Sequence, residues 1–539
     1  MSRTPLLNTI RQLARDLRAS RRTGIPPGEL RELREERAAA AISRRKLLAG
    51  AAVGAAALAL PKPARASGHQ PSIAIVGGGI AGLTCALTLR DRGLSSTVYE
   101  ASGRLGGRMF TNTSSYFQSN QITEWCGELI DSGHKTVRKL SQRYGLTLDN
   151  LHKAQPNKSH DTFHFGGQYY AKSQADLDFL DMWDIIEADL EGAGYPTMFN
   201  SFTPEGRELD RMSIHEWIES RVPGGHASPL GQLLDTAYVI EYGADSRVQS
   251  ALNLLYLLAF QQTETQLDVF GESDEKFHIQ GGNQQLPEAI AADLGDGAIK
   301  HGHRMTKLRE TPNGRYKLTF ERGHSTIDVV ADYVVLALPF AVLRNLDIDG
   351  ANFSARKRRA INQLGRGRNG KLQLQFAQRR WLGTGPWPGK ANGASFCDTG
   401  YQASWEVTRA QAGTPGILVL YSGAAGTDAM RTTTPFATAN DAKVMQDAQR
   451  GAAQLAPVFP GLQWNGRATQ ALPHKSPFFD CSYSYYKVGQ YTEFGGIEQR
   501  TEGGVYFCGE HTSTDYQGFM EGGAHTGQQA AKALARRIS

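Results

Sequence analysis

Apolar positions in this chain change their spacing several times, and each change marks an element. Ile73-Ala-Ile-Val76 is an unbroken apolar run, as expected of a strand covered on both faces. Glycines at 77, 79 and 82 follow, then helical spacing, then a short apolar strand ending on an acid, Val98-Tyr99-Glu100. Over 176–191 and 230–260 the period is helical and rich in Leu, Tyr and Trp, which predicts a helical insertion. Residues 286–294 predict another helix, and a hairpin-like stretch leads to the buried strand Tyr333-Val-Val-Leu-Ala-Leu338, ended by Pro339. Lys371-Leu-Gln-Leu-Gln-Phe376 and Gly416-Ile-Leu-Val-Leu-Tyr421 alternate, predicting a sheet with one wetter face over a pocket. Residues 504–509 read as a strand and 524–537 as a closing helix. The order predicts an α/β protein with a discontinuous Rossmann-like domain over 67–150, 278–345 and 491–539. A mixed-sheet and helical substrate domain takes 151–277 and 346–490.

The glycine turn carries the first chemistry. Gly77 allows a tight turn, Gly79 lets backbone N–H groups approach a pyrophosphate, and Gly82 lets the helix pack on the strand. The helix N-terminus then faces phosphate charge. Glu100 follows Gly82 by 18 residues, where an acid accepts hydrogen bonds from a ribose. Arg104-Leu-Gly-Gly-Arg108 adds a second glycine pair, Gly106 and Gly107, and two cations beside the same pyrophosphate. No second GxGxxG stands between an apolar strand and a helix to offer a nicotinamide site. Electrons must therefore come from the substrate and leave to a diffusible acceptor, which a flavin permits.

At 539 residues the chain exceeds one core, so two domains or more are expected. Its 40% hydrophobic and 21% charged residues are a globular balance. Residues 1–66 hold 14 Lys+Arg against 5 Asp+Glu, leaving 45 against 48 in the rest. The formal charge of +6 thus belongs to the N-terminus, and no nucleic-acid partner is expected. There, Ser43-Arg44-Arg45-Lys46-Leu47-Leu48 resembles a twin-arginine motif, a short apolar run follows, and Ala64-Arg65-Ala66 offers a cleavage site. Residues 1–66 are expected to be a twin-arginine signal peptide, taken by the twin-arginine translocase and cleaved after Ala66. The product would be periplasmic or secreted. The run is too short for a stable membrane span, and a retained anchor is the alternative. Five cysteines, at 85, 126, 397, 481 and 508, show neither metal-ligand spacing nor a disulfide framework, so no metal is expected. Cys85 and Cys508 read as buried hydrophobes.

Gly509-Glu510-His511-Thr-Ser-Thr-Asp-Tyr-Gln-Gly518-Phe519-Met520-Glu521-Gly522-Gly523-Ala524, taken with the glycine turn, Glu100 and Gly106-Gly107-Arg108, resembles the flavin amine oxidases. That family spans monoamine, polyamine and L-amino-acid oxidases. Glu124-Trp-Cys-Gly-Glu-Leu-Ile-Asp131 and residues 270–282 are similar to bacterial members with twin-arginine signals. The resemblance covers nearly everything after residue 72. It implies a GG-doublet FAD-binding domain in amine-oxidase architecture, with FAD held non-covalently. Cofactor contacts are implied at Gly127, Glu128, Met305 (adenine, through its backbone), Gly509, Glu510 (ribityl–pyrophosphate side), Gly518 and Met520 (flavin N1/O2 edge). The turn from Gly518 opens a helix, whose N–H groups suit negative charge on the ring.

Lys371, with Trp381 downstream, resembles the family lysine that holds a water at flavin N5; a solvated strand lysine is the alternative. Phe519 matches one of two aromatic rings that guide the amine to the flavin. The other is Tyr483 or Tyr485, with core packing as the alternative for both. A thioether from Cys481 to the flavin is a further alternative. His511, His525 and His278 read as structural, because hydride transfer from a neutral amine needs alignment rather than a strong base. The expected function is an FAD-dependent oxidase of amines, giving an imine, then a carbonyl compound and ammonia, with O2 reduced to H2O2. An L-amino-acid oxidase for basic amino acids is the alternative, although Cys126-Gly-Glu-Leu-Ile lacks the arginine some of them use for the substrate carboxylate. A third reading is a GG-doublet desaturase or isomerase acting on a C–C bond. The natural acceptor and a homodimer are left open.

Overall fold

The computed structural model describes residues 71–261 and 266–539, so the signal expected over 1–66 lies outside the described residues. Ile73–Val76 is the middle strand of a five-stranded parallel sheet, in the order Val505–Phe507, Tyr333–Leu336, Ile73–Val76, Thr97–Tyr99, Ile299–Lys300. Its apolar run is unbroken because each face meets a different layer. Ile73 and Ile75 pack with Ala81, Cys85 and Leu89 of the helix Ile80–Arg90 and with Leu534 of the helix Met520–Ile538. Ala74 and Val76 pack with Leu308, Leu318 and Phe320 of an antiparallel meander, Arg304–Glu310, Tyr316–Arg322 and Ser325–Ala331. Cys85 and Cys508 are fully buried in the first of these layers, and all five cysteines are free thiols.

The second sheet has nine strands and is mostly antiparallel. Asn369–Phe376 lies inside it, between Gly416–Gly423 and Trp464–Ala471. The alternation predicted a wetter face, but every residue of Asn369–Phe376 and of Gly416–Gly423 is buried. The polar positions are dry because another part of the chain covers them. Gln373 Nε2 donates to the Glu124 carbonyl (2.9 Å) and its Oε1 accepts from Thr469 (2.7 Å). Gln375 Nε2 donates to the Gln118 carbonyl (3.1 Å) and to Gln121 Oε1 (2.9 Å). Leu372, Leu374 and Phe376 point the other way, into a core with Val444, Ala448 and Leu455 of the helix Ala442–Leu455.

The insertion is helical, as expected, yet each long predicted helix is two. Lys172–Leu180 and Trp183–Ala193 are split at Asp181–Met182, where the apolar spacing runs on unbroken. Pro229–Tyr242 and Ala251–Leu258 are split after Gly243, which has φ +63°. Here the cause is packing. Arg368 N donates to the Gly243 carbonyl (2.8 Å), Asn369 Nδ2 donates to Ile240 O (2.5 Å), and a side chain at 243 would strike Asn369. The helix must end where it meets the strand that carries Lys371. No helix among the described residues is long and apolar enough to cross a membrane.

Gln373→Leu removes both partners' bonds while keeping the strand apolar. It should destabilise the protein by about 1–3 kcal/mol, the cost of leaving buried polar groups unpaired, as read by urea unfolding followed through tryptophan fluorescence.

Candidate active site

An elongated cavity of about 810 Å³ runs along the carboxyl ends of the parallel strands into the nine-stranded sheet. At one end stand Glu100, His303 and Met305. Glu100 follows the strand Thr97–Tyr99, and its carboxylate is fixed by Gly78 N (2.7 Å) and by the Ser102 N–H and hydroxyl (2.8 and 2.7 Å). Met305 is buried, at a point where the meander's register shifts. Gly77 and Gly79 line the next stretch with Gly106 and Gly107, and the two glycine turns are joined by Gly106 N donating to Gly78 O (2.9 Å). Gly77 has φ +109°, and a Cβ on Gly82 would collide with the Gly77 carbonyl, so the turn and the helix interlock. Gly82 therefore lies behind the wall and does not line it.

Arg104 and Arg108 border the cavity, with their charge spent on the protein. Arg104 donates to the carbonyls of Leu105 (2.8 Å) and Gly107 (2.6 Å), and lies 3.8 Å from the centre of the Phe110 ring. Arg108 Nη1 donates to Ser482 O (2.6 Å) and Glu510 Oε1 (3.1 Å). Glu510 Oε2 accepts from Ser484 (2.8 Å) and from Gly518 N (3.0 Å). Burial raises the Glu510 carboxyl, but Arg108, helped by His511 and the bonds from Ser484 and Gly518, holds it below the usual carboxylate range. Gly509, Glu510, Gly518, Phe519 and Met520 all line the cavity. Gly127 lines it too, and a Cβ there would lie 3.0 Å from the Met520 side chain.

At the far end Lys371 reaches the wall, with its side chain only 8% exposed. Its Nζ donates to Cys126 O and to Glu128 Oε2, both at 2.7 Å. Trp405 Nε1 donates to the other oxygen, Glu128 Oε1 (3.0 Å). Glu128 stands behind the lysine and does not line the cavity. Burial pushes its carboxyl up, and Lys371, with Trp405 and His278 adding to it, more than reverses this, leaving it lowered. A lysine ammonium has three donors, so one remains for the cavity.

Tyr483 lines this end, 3.8 Å from where a Cβ on Gly518 would stand, and Tyr485 does not. Tyr485 packs against Gly365 and into the core of the helical insertion. The Tyr483 hydroxyl pairs with that of Tyr421, a residue the sequence reading missed. Tyr421 is the direct cross-strand partner of Lys371, so the two alternating runs, once in register, would have revealed it. Burial first, and the neighbouring hydroxyl second, push Tyr421 well up, and burial does the same for Tyr483; both stay neutral phenols. Phe110, Trp125 and Phe436 form a further aromatic group on the wall, with ring centres 5.2–6.2 Å apart.

His278 Nε2 pairs with Glu124 Oε1 (2.8 Å), and the buried His511 finds no partner for either ring nitrogen among the described residues. Burial lowers His511 to about 4, so it is a neutral ring at physiological pH. Cys481 is buried and is not part of the wall, and burial, partly offset by Arg108, lifts its thiol to about 11.

The donor set fits a flavin dinucleotide. The helix Ile80–Arg90 opens on the cavity with no side-chain cap and no acid in its first turn, leaving its N–H groups for a pyrophosphate. Glu100 and Met305 line the cavity beside the glycine turns, where they could hold an adenosine, and Lys371, Tyr483 and Phe519 line it beside the nine-stranded sheet, where they leave room for a ring system. A family model described as flavin containing amine oxidoreductase matches residues 80–535. The chain is 22% identical over 495 residues to a flavin-containing amine oxidase of Danio rerio, covering 85% of each chain. It is 25% identical over 520 residues to nicotine dehydrogenase of Pseudomonas putida, covering 92% of this chain and 98% of that one. The fold matches cyclohexylamine oxidase from Brevibacterium oxydans with a TM-score of 0.72 at 18% identity, covering 87% of this chain and 100% of the other.

Glu128→Gln leaves Lys371 buried without its counter-charge, and should cost about 3–5 kcal/mol in denaturant unfolding at neutral pH. The native carboxyl is lowered, so the pair's contribution is complete above the usual carboxylate range. It is lost as pH falls through the lowered value, and the gap between native and variant should close there.

Proposed function

The chain belongs to the flavin containing amine oxidoreductase family, and from its being an FAD-dependent oxidoreductase of amines we propose an oxidase of amines that carry no carboxylate beside the reacting carbon. The net reaction takes a primary amine, O2 and water to an aldehyde or ketone, ammonia and H2O2. FAD, when bound, supplies the two-electron acceptor for the hydride on the amine's α-carbon. The protein's part is to hold, align and keep dry. Tyr421, Tyr483 and Phe519 form an apolar wall that fits a neutral amine and excludes water. As neutral phenols, the tyrosines align the substrate and do not remove its proton. Lys371 spends two donors on Cys126 O and Glu128, and its third can hold a water or meet negative charge growing on oxygen. No bond to Cys481 is needed, and FAD is taken to be held non-covalently.

One observation favours amines over L-amino acids. A substrate carboxylate needs a free cation, and every Lys and Arg on the wall already serves an acceptor of the protein. Arg104 serves carbonyls, Arg108 serves Glu510, Arg304 serves Glu321, and Lys371 serves Glu128. Beyond the tyrosines the charge is acidic. Burial, and then Asp131, push Glu241 up to about 7, and Glu241 acts electrostatically on both Tyr421 and Tyr483. At neutral pH it carries only part of its charge, so a substrate carboxylate finds no counter-charge here. The reading includes export through the twin-arginine route, which carries folded proteins with their cofactor in place.

Under anaerobic conditions, phenylethylamine or putrescine should bleach the yellow protein, and air should restore the colour with H2O2 release. L-lysine and L-arginine should do so at least about 10-fold more slowly, and bleaching by amino acids alone would overturn the assignment. Lys371→Met should slow reoxidation by about 100-fold, the scale of losing one oriented donor, while the FAD content after gel filtration stays near native. Unchanged reoxidation would remove the lysine from the reaction.

A further inference from the structure

We propose that His215, Glu219 and His226 form a binding site for a divalent transition-metal ion of the zinc type, with Asp235 ordering His226. His215 and Glu219 lie one turn apart on the helix Ile214–Arg221, and His226 stands on the tight turn Gly225–Ala227 that follows. One ligand atom from each of the three lies within 4.8 Å of the other two. The two imidazole rings stack, with centres 4.2 Å apart and planes at 29°.

The proton count at His226 points to a cation. Its Nδ1 lies 2.6 Å from Glu219 Oε1, and its Nε2 lies 3.3 Å from Asp235 Oδ1 on the helix Pro229–Tyr242. A neutral imidazole has one N–H, so it can satisfy one of these carboxylates only. The other nitrogen then turns a lone pair toward a carboxylate oxygen, and a positive species must stand at that contact. A second proton would serve, and so would a metal ion. The metal alone also uses His215, whose ring makes no hydrogen bond or ion pair among the described residues although it lies against the same point.

With Asp235 accepting from Nε2–H, Nδ1 becomes the ligating nitrogen, the carboxylate–histidine–metal arrangement that fixes the tautomer and raises ligand basicity. Two imidazole nitrogens and one carboxylate oxygen suit Zn2+ or Co2+, with the fourth position left to water. Bonds of about 2.0–2.1 Å put tetrahedral ligands roughly 3.3 Å apart. The short Glu219–His226 contact therefore opens slightly, the wider separations close, and one of the stacked rings turns so that the ion lies in the plane of both imidazoles. None of these residues lines the cavity, so the ion is not a catalyst. It would tie Ile214–Arg221 to Pro229–Tyr242, whose last turn sits on Arg368 and Asn369, next to the strand of Lys371.

The test uses the FAD-loaded protein, stripped with a chelator and titrated at neutral pH with ZnCl2 and CoCl2 by calorimetry and thermal unfolding. One ion should bind per chain, releasing protons and raising the Tm. His215→Ala and His226→Ala should each weaken binding by about 100-fold, and Asp235→Asn by about 10–100-fold, the scale of losing a ligand's carboxylate partner. Should His226→Ala fail to fold, His215→Gln reads the same loss. Absence of binding, or equal affinity in the native protein and His215→Ala, overturns the proposal and leaves His226 as a protonated bridge. Amine oxidation enters none of these readouts, so the result stands apart from the functional assignment.

Discussion

Lys371 carries a full charge into a setting where its side chain is 8% exposed, and the neighbourhood is arranged to make that tolerable. A buried ammonium needs a counter-charge in good geometry and partners for its protons. Glu128 and the Cys126 carbonyl supply both, and Trp405 holds Glu128 from behind. The loop bearing Cys126 and Glu128 has no long strand of its own. It is laid down by Gln373 and Gln375, which bond to Glu124, Gln118 and Gln121 from the strand that carries the lysine. Lys371, Gln373 and Gln375 therefore act as one polar row, and the ion pair is the end of that row that faces the cavity.

A second tie closes the other side. Arg108 and Glu510 are 402 residues apart, and their ion pair draws in Ser482 through its carbonyl, Ser484 through its hydroxyl and Gly518 through its N–H. The glycine turn, the tyrosine segment and the C-terminal helix start thus meet at one contact. The two aromatic residues suited to face a substrate, Tyr483 and Phe519, each follow one of these anchored residues directly. Their positions depend on that contact rather than on local backbone preference.

Local features were legible in the sequence. The apolar run Ile73–Val76, the three glycines and the acid at 100 could be read because each reports a short-range requirement: a buried strand, a tight turn, a helix packed closely on it. What failed needed knowledge of what lies opposite. The alternation in 371–376 reports two chemically different faces, and a face bonded to a loop over 240 residues away in sequence looks the same as one bonded to water. Tyr421 was missed because cross-strand pairing with Lys371 depends on register. Tyr483 and Tyr485 are two residues apart, so strand alternation alone would put them on one face; the strand begins only at Ser484, and its pairing with Gly365–Arg366 turns Tyr485 away from Tyr483. The helix break at Gly243 had the same origin, since its cause is Asn369, 126 residues further on.

The charge pattern of the cavity follows from these ties. Each Lys and Arg on the wall is bonded to an acceptor of the protein, so a pyrophosphate here would meet backbone N–H groups and the helix macrodipole at Ile80. Those groups are fixed in direction and need no reorganisation when the anion arrives. A cavity walled with free lysines and arginines would bind phosphate as well, but it would repel a cationic amine on its way in. Pairing the cations inward lowers that repulsion. A dinucleotide's anion and an amine can then share one continuous cavity, because fixed dipoles answer the first and no free cation opposes the second.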